Sequence, residues 1–433
     1  MPEAALAASA KLYRPKLATM LAEGYGPAEL RHDAIAGLTV AIVALPLSMA
    51  IAIASGVSPD RGLTTAIVGG FLVSALGGSR FQIGGPAGAF IVLVAATVAR
   101  FGVDGMLLAV LISGVLLALL GVLRLGTLIR HIPHPVTVGF TSGIAVTILA
   151  SQIKDLFGLR LTGAEPGPFL PKLAALAHAA PTVSWPSFAL AGSVIAVTAL
   201  IRRWRPLWPS MLIAVAGAAA VAAGLHLPVD TIGSRFGELP HGLPMPHLPP
   251  LTAQKVLAVL PAALSFTLLG GIESLLSAVV ADGMTGRRHR ANMELTAQGV
   301  ANVASALFGG ISVTGTIART ATNVRAGARS PVAGMLHSAF LLAFVVLAAP
   351  LAGYVPVAAL AGVLALVCWN MAERHAIARL AVQPGPAAVL LTTFGLTVVR
   401  DLTTGIIGGC LVAVLLWAAR RAGSRMHARG ASD

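Results

Sequence analysis

Uncharged apolar stretches about as long as a membrane-crossing helix recur along almost the whole chain. A helix needs about 20 residues to cross the hydrocarbon core, and such windows begin at Ala34 and continue to Ala419. Apolar residues make up 56% of the 433 residues and charged residues only 11%, so too little polar surface exists to cover a soluble protein. The sequence therefore predicts an all-α integral membrane protein with about fourteen transmembrane segments.

Two of the windows need interpretation. The window Ser330–Ala372 is too long for one span, and Pro350 and Pro356 are expected to divide it into two. The window Leu173–Ile201 is taken as a single span.

Two glycine-broken segments, Gln82–Phe90 and Gly309–Thr320, interrupt predicted spans at matching places in the two halves. Each begins as a short extended piece, and a helix is predicted to start after Pro86 and after Gly315. Paired interruptions of this kind point to a transporter's substrate site, and helix N-termini at that depth attract anions. The alternative is that the glycines serve only close helix packing.

The distribution of basic residues predicts the orientation. Most of the 30 lysines and arginines fall in segments that are cytoplasmic if the N-terminus is inside, which is the positive-inside pattern. We expect a multi-pass protein of the bacterial inner (plasma) membrane with both termini cytoplasmic, in contact with lipid and with no nucleic-acid partner. The predicted division is a cytoplasmic segment at 1–32, spans 1–7 at 33–225, a proline-rich periplasmic connection at 226–253, spans 8–14 at 254–420 and a cytoplasmic tail at 421–433. With seven spans each, the halves are inverted repeats.

Two ionisable residues lie inside predicted spans. Glu273 follows an uncharged run in the eighth span, and a carboxylate at that depth suggests proton or cation coupling. Ser277 lies on the same face four residues later. Arg319 falls in the first helical turn after the second break, where a cation is unfavourable unless an anion is close. Pairing between Glu273 and Arg319 is the structural alternative.

Motifs of enzymes are missing from the sequence. It contains no nucleophile with a base, no Walker-type loop and no redox motif, and Cys368 and Cys410 are isolated in apolar spans. We therefore predict that the protein is not an enzyme and uses no cofactor and no metal other than a coupling ion. H⁺ is favoured as that ion, and Na⁺ is the alternative.

Four stretches resemble the SulP anion permeases, and the last two resemble the bacterial dicarboxylic acid transporters of that family in particular. They are Gly37–Gly56, Gly77–Pro86, Ile272–Gly286 and Ala318–Ala328. The resemblance implies the UraA-like fold of seven-plus-seven inverted spans, with a core domain of spans 1–4 and 8–11, a gate domain of spans 5–7 and 12–14, and a possible homodimer. Family members usually carry a STAS domain after the last span, whereas we expect only the short tail at 421–433 here.

The resemblance also implies a set of site residues. Leu47, Ser48 and Ile51 of the first span and Ala87, Gly88 and Ala89 of the third would line the substrate pocket, and the backbone of Thr316, Ile317 and Ala318 would donate hydrogen bonds beside Arg319. In the sodium-coupled bicarbonate branch of the family, an Asp and a Thr with the same spacing as Glu273 and Ser277 look like ligands of the cation. The replacement weakens the sodium interpretation without removing it.

The function predicted from these features is secondary active transport of a small inorganic or organic anion. The favoured form is proton-coupled uptake of a succinate-like dicarboxylate or of sulfate by an elevator movement. Sodium-dependent bicarbonate uptake, a passive anion channel and a nucleobase permease of the same fold are the alternatives. A nucleobase carrier would need carboxylates in both the eighth and tenth spans to accept hydrogen bonds from the ring N–H groups. Arg319 in the tenth span argues for an anion as the substrate.

Overall fold

The computed structural model describes residues 13–127, 133–163, 165–205, 208–400 and 402–430. The outer parts of the predicted terminal segments, 1–12 and 431–433, lie outside the described residues. Within the described part, seven helical stretches are long and apolar enough to cross a membrane: Pro27–Ala54, Gly88–Val122, His134–Phe157, Trp185–Trp204, Ala253–Thr285, Val332–Ala352 and Val357–Ala381. Three shorter apolar helices accompany them.

The first half contains, in order, α1 (Lys16–Glu23), α2 (Pro27–Ala54), α3 (Pro59–Thr64), a π-helical turn (Thr65–Gly69), α4 (Gly70–Leu76), β1 (Gly84–Gly85), a 3-10 turn (Gly88–Phe90), α5 (Ile91–Val122), a 3-10 turn (Leu125–Thr127), α6 (His134–Phe157), α7 (Phe169–His178), a 3-10 turn (Ala180–Thr182), α8 (Trp185–Trp204) and α9 (Ser210–Gly224). The second half contains α10 (Ile232–Phe236), α11 (Ala253–Thr285), α12 (Ala291–Leu307), β2 (Thr314–Gly315), α13 (Ile317–Arg325), α14 (Val332–Ala352), α15 (Val357–Met371), α16 (Arg374–Ala381), α17 (Pro384–Val399) and α18 (Leu402–Gly430). In each half a long helix and a second helical segment precede a short strand that leads into a helix.

Proline and glycine explain most of the boundaries. Gly102 has a φ of 70° inside α5 and kinks it, so that this helix supplies two of the predicted spans. Pro356 caps α15 and separates it from α14 as expected, while Pro350 lies inside α14. The single span at Leu173–Ile201 is wrong: because the chain turns at Ala180–Thr182, that window is divided between α7 and α8. The tail is helical as far as Gly430.

The helices pack in two groups that each mix the two halves of the chain. In one group α2 packs against α14, and α5 packs against α11 and α12. In the other, α6 packs against α15 and α17, and α8 packs against α15. These groups correspond to the core and gate of the predicted fold.

The connection between the halves folds back on the second half. Ile232 N donates to Val355 O at 2.9 Å, and Val357 N donates to Asp230 O at 2.9 Å. These bonds satisfy backbone groups at the start of α15, so part of the proline-rich segment packs against the gate.

Candidate anion site

The two broken segments meet in a two-residue antiparallel bridge. Gly84 pairs with Gly315, and Gly85 pairs with Thr314. Just beyond the pair, Thr316 N donates to Ile83 O at 2.9 Å. The 3-10 turn that opens α5 and the first turn of α13 therefore start at opposite ends of one bridge. Both helix N-termini, with their unpaired N–H groups, converge on it.

Glycine is required on the bridge because side chains from other segments cover it. A Cβ on Gly85 would lie 2.3 Å from Nη1 of Arg319, and a Cβ on Gly315 would lie 1.8 Å from Nε2 of Gln82. Both distances are far below van der Waals contact, so the two glycines let polar side chains lie flat against the backbone.

Arg319 joins the three segments that the sequence analysis assigned to the pocket. Its Nη2 donates to Ser48 Oγ of α2 at 3.1 Å and to Pro86 O at 3.4 Å. The side chain is 1% exposed, and its Nε and Nη1 atoms have no acceptor among the described residues. A buried cation with unmet N–H groups favours an anion nearby, because an uncompensated buried charge is costly. Because so little of the side chain is exposed, an anion outside it would be attracted in this conformation through the field of the charge.

Polar side chains on α11 form hydrogen bonds to residues that flank the bridge. Ser277 Oγ lies 3.0 Å from Thr320 Oγ1, which also accepts a hydrogen bond from Ile83 N at 3.1 Å. One turn earlier, Ser274 Oγ accepts from Nε2 of Gln82 at 2.9 Å. The hydroxyl of Ser277 therefore already has a partner within the site.

Glu273 lies next to Ser274 on the same helix and takes no part in these contacts. This residue is 7% exposed. The carboxylate forms no ion pair with Arg319 and no hydrogen bond to another described residue. The Glu273–Arg319 pair, which was the structural alternative, is thus not formed in this conformation. The site holds a buried carboxylate and a buried guanidinium that remain separate.

The residues just before the second break are held in place by α12. Both polar side-chain atoms of Asn302 form hydrogen bonds: Nδ2 donates to Val313 O at 2.8 Å, and Oδ1 accepts from Val313 N at 3.0 Å. Thr65 Oγ1 accepts from Ile311 N at 2.7 Å, which ties the π-helical turn to the same segment. Irregular backbone inside a membrane protein needs such partners, and here side chains supply them.

The first turn of α13 is open on one side. Ile317 and Ala318 are exposed, whereas Arg319 and Thr320 are buried. Thr316 N is used by the bridge and Thr320 N by Thr316 O, so the N–H groups of Ile317, Ala318 and Arg319 have no helical acceptor. An anion approaching from the open side would meet Ile317 and Ala318 first.

Comparison with known proteins identifies the family. The profile described as Sulfate permease family matches residues 30–393, most of the chain. The chain belongs to the sulfate permease (SulP) family. Its members are transporters, so the protein is a SulP-type anion transporter of the membrane.

Individual relatives agree with that assignment. The chain is 41% identical over 94% of its length to the Bacillus subtilis protein named "Putative sulfate transporter YvdB", and it spans 77% of that protein. The solved transmembrane domain of a cyanobacterium bicarbonate transporter, BicA, matches with a TM-score of 0.81 and 29% identity, over 88% of this chain and 98% of that one. SLC26A9 matches with a TM-score of 0.87, covering 97% of this chain and 70% of its own, but its 17% identity supports the fold alone. The predicted all-α, UraA-like membrane fold is confirmed.

In this SulP protein the predicted site residues are distributed unevenly around the bridge. Ser48 contacts Arg319, and Leu47, Ile51, Ala87 and Ala89 are buried around it, while Gly88 is half-buried. Met371 of α15 and Ile148 of α6 lie 3.4 and 3.8 Å from a Cβ placed on Gly88, so the third-span break lies against the gate.

Sequence reasoning missed several residues that hold the site together. They are Gln82, Ser274, Thr314 and Thr320, which join the two broken segments to each other or to α11. Gln82 and Thr320 lie inside the two quoted segments, and their polar character at apolar depth was the available signal. Ser274 lies on a regular helix, where the sequence offers no sign of the partner.

Proposed function

We propose that the protein is a proton-coupled importer of a small divalent anion, with sulfate as the first candidate and a succinate-like dicarboxylate as the second. The observation that carries this proposal is the coexistence, at one bridge, of a buried Arg319 with unmet N–H groups and a separate Glu273 without an ion pair. A divalent anion gains most from the arginine and from two helix N-termini. The carboxylate can take up a proton and so reduce the charge that moves with the substrate.

Transport would occur by movement of the core group against the gate group. Support comes from the location of the bridge in the core, with Gly88 facing Met371 and Ile148 across the boundary. Sliding the core would carry the whole bridge, including Arg319, past these gate residues. A homodimer held through the gates would be compatible with this movement.

Sodium-dependent bicarbonate uptake is a second candidate because the BicA transmembrane domain is similar over most of the chain. A sodium ion would need several oxygen ligands around Glu273. The nearest hydroxyl on its helix face, Ser277, is engaged with Thr320 at 3.0 Å. A hydroxyl in such a bond can still offer a lone pair to a cation. The preference for a proton therefore rests on Glu273, a buried carboxylate without an ion pair to any described residue.

The test is uptake into proteoliposomes with labelled sulfate, succinate and bicarbonate, under an imposed pH gradient or an imposed sodium gradient. We expect sulfate accumulation driven by an inward proton gradient. Accumulation that requires sodium and ignores the pH gradient would support the bicarbonate candidate. Large, non-saturating fluxes without accumulation would indicate a channel.

A further inference from the structure

A cavity of about 690 Å³ opens beside α11, and no residue assigned to the anion site lines it. Its wall is formed by one apolar face of that helix, with Ile272, Leu275, Leu276 and Val279, and by Thr137 in the first turn of α6. Because α11 belongs to the core group and α6 to the gate group, the cavity lies on the boundary that would move in transport.

The inner end of the cavity reaches the level of the bridge. Gly270 O accepts from Thr314 Oγ1 at 3.2 Å, and Ser274 bonds to Gln82, so Ile272 lies between two contacts with the broken segments. From Ile272 to Asp282 the helix rises about 15 Å, at 1.5 Å per residue. That is about half the thickness of the hydrocarbon core, so the cavity leads from the bridge to one membrane surface.

The outer end of the cavity is a basic mouth. Gly286, with a φ of 68°, ends α11 in the left-handed region and turns the chain. Asp282 Oδ2 then accepts from His289 N at 3.0 Å and lies 2.7 Å from His289 Nδ1, which fixes the returning loop. Arg287 and Arg288 line the mouth, are exposed, and form no ion pair with any described acidic residue.

We propose that this cavity is the cytoplasmic vestibule of the anion pathway and that Arg287 and Arg288 set its selectivity for divalent over monovalent anions. The inference rests on the proposed function and adds a second, electrostatic selection step outside the bridge. A positive potential enriches an ion exponentially with its charge, so the enrichment of a divalent anion is the square of that of a monovalent one. At about 10 Å and about 0.1 M salt, two unit charges change the local level of a monovalent anion about 1.7-fold and of a divalent anion about threefold.

The first experiment measures the potential without any need for transport. Val279→Cys places a thiol on the cavity wall, and everted membrane vesicles expose the predicted cytoplasmic face to two methanethiosulfonate reagents, one carrying a sulfonate and one a trimethylammonium group. The ratio of their reaction rates reports the local potential. Parent protein, with its native Cys368 and Cys410, gives the background rates.

Adding Arg287→Gln and Arg288→Gln should lower the sulfonate-to-ammonium ratio about threefold at about 0.1 M salt, and the difference should grow at lower salt and shrink at higher salt. Arg287→Lys with Arg288→Lys should keep the parent ratio, because the charge is retained. The matched control is Arg203→Gln with Arg379→Gln, which removes two exposed arginines at the ends of gate helices on the same predicted face. An equal fall in that control, an unchanged ratio in the Arg287/Arg288 variant, or no labelling of Val279→Cys from this face would overturn the inference.

The second experiment tests the selectivity. In everted vesicles the Arg287→Gln/Arg288→Gln protein should show an apparent constant for sulfate raised about threefold and for bicarbonate about 1.7-fold, with both unchanged in right-side-out vesicles. Equal effects on the two anions, or on the two faces, would contradict the proposed role of the arginines. If the parent carries neither anion, the proposed function fails, and the labelling ratio still decides whether the mouth is electropositive.

Discussion

Gly85→Ala should weaken anion transport by displacing Arg319, although the new methyl group touches no substrate. The added Cβ would lie 2.3 Å from Nη1, and an ordinary contact needs about 3.4 Å, so the guanidinium must move by about 1 Å. The Nη2–Ser48 Oγ distance is already 3.1 Å, and a further 1 Å takes it beyond hydrogen-bonding range. A hydrogen bond to a charged group contributes about 1.5–3 kcal/mol. If that loss appears in substrate binding, the apparent substrate constant should rise by about 10- to 150-fold.

The assay is initial uptake of labelled sulfate into proteoliposomes over a range of concentrations, with the melting temperature of the purified protein measured in parallel. Gly270→Ala is the matched control, because its Cβ would lie 3.4 Å from Leu117 Cδ1, an ordinary contact, at the same level of the protein. That variant should transport like the parent and should be slightly more stable, since alanine favours the helix.

The reasoning requires that Gly85→Ala acts through Arg319, and a double-mutant cycle tests this requirement. In an Arg319→Ala background the remaining neighbour of the added methyl group is Ala66 Cβ at 3.8 Å, an ordinary contact, so Gly85→Ala should then have little further effect. An equally large loss in both backgrounds would refute the argument and would show that the methyl group itself distorts the bridge.

Four further predictions follow from contacts outside that pair. Glu273→Gln should abolish pH-driven accumulation of sulfate in proteoliposomes but leave sulfate exchange, and concentrative uptake equal to the parent's would show that the proton travels elsewhere. Asn302→Ala leaves the backbone of Val313 and the hydroxyl of Ser312 without their buried partner, so the melting temperature should fall by several degrees, which thermal unfolding in detergent would measure. Asp33→Ala removes the acceptor of Arg329 N, Ser330 N and Tyr25 OH and should destabilise by about 3 kcal/mol or more, whereas Glu29→Gln, in an exposed pair, should have a much smaller effect in the same denaturation assay. Burial and the Asp33 carboxylate raise the pKa of Tyr25, so the neutral side chain stabilises the folded protein at pH values below the ordinary tyrosine pKa. Tyr25→Phe should therefore lower the melting temperature at neutral pH, and the difference from the parent should shrink above about pH 10.

The membrane fold could be predicted because hydrocarbon imposes a length and a composition on each span. Gly102 and Pro356 ended or bent helices where their backbone chemistry requires. The window Leu173–Ile201 failed because uniform apolarity hides a turn when the chain passes from a short surface helix into a span. Pro181, within the 3-10 turn, was the available signal.

The site was predictable only where backbone chemistry was involved. The breaks at Pro86 and Gly315 are visible in sequence because they interrupt a helical pattern. The pairing of Gly84 with Gly315 joins residues more than two hundred positions apart, and one sequence contains no record of that pairing. For the same reason Glu273 and Arg319 were considered as a pair from their charges alone, whereas in the structure the arginine donates hydrogen bonds to Ser48 Oγ and Pro86 O.

The geometry of the charge at the bridge bears on which anion fits best. Arg319 is fixed by Ser48 and covered by Gly85, so it cannot present its planar fork to a carboxylate as an exposed arginine would. The attraction that its field and the two helix N-termini exert on an anion depends on distance and only weakly on the shape of the ligand.

A compact ion such as sulfate places both of its charges within that field at once. A succinate-like dicarboxylate separates its charges along a chain, and only one carboxylate could occupy the bridge. The remaining carboxylate would need a cation elsewhere, and none of the described residues around the bridge other than Arg319 supplies one. We therefore expect the selectivity of this site to follow charge density, with sulfate ahead of succinate.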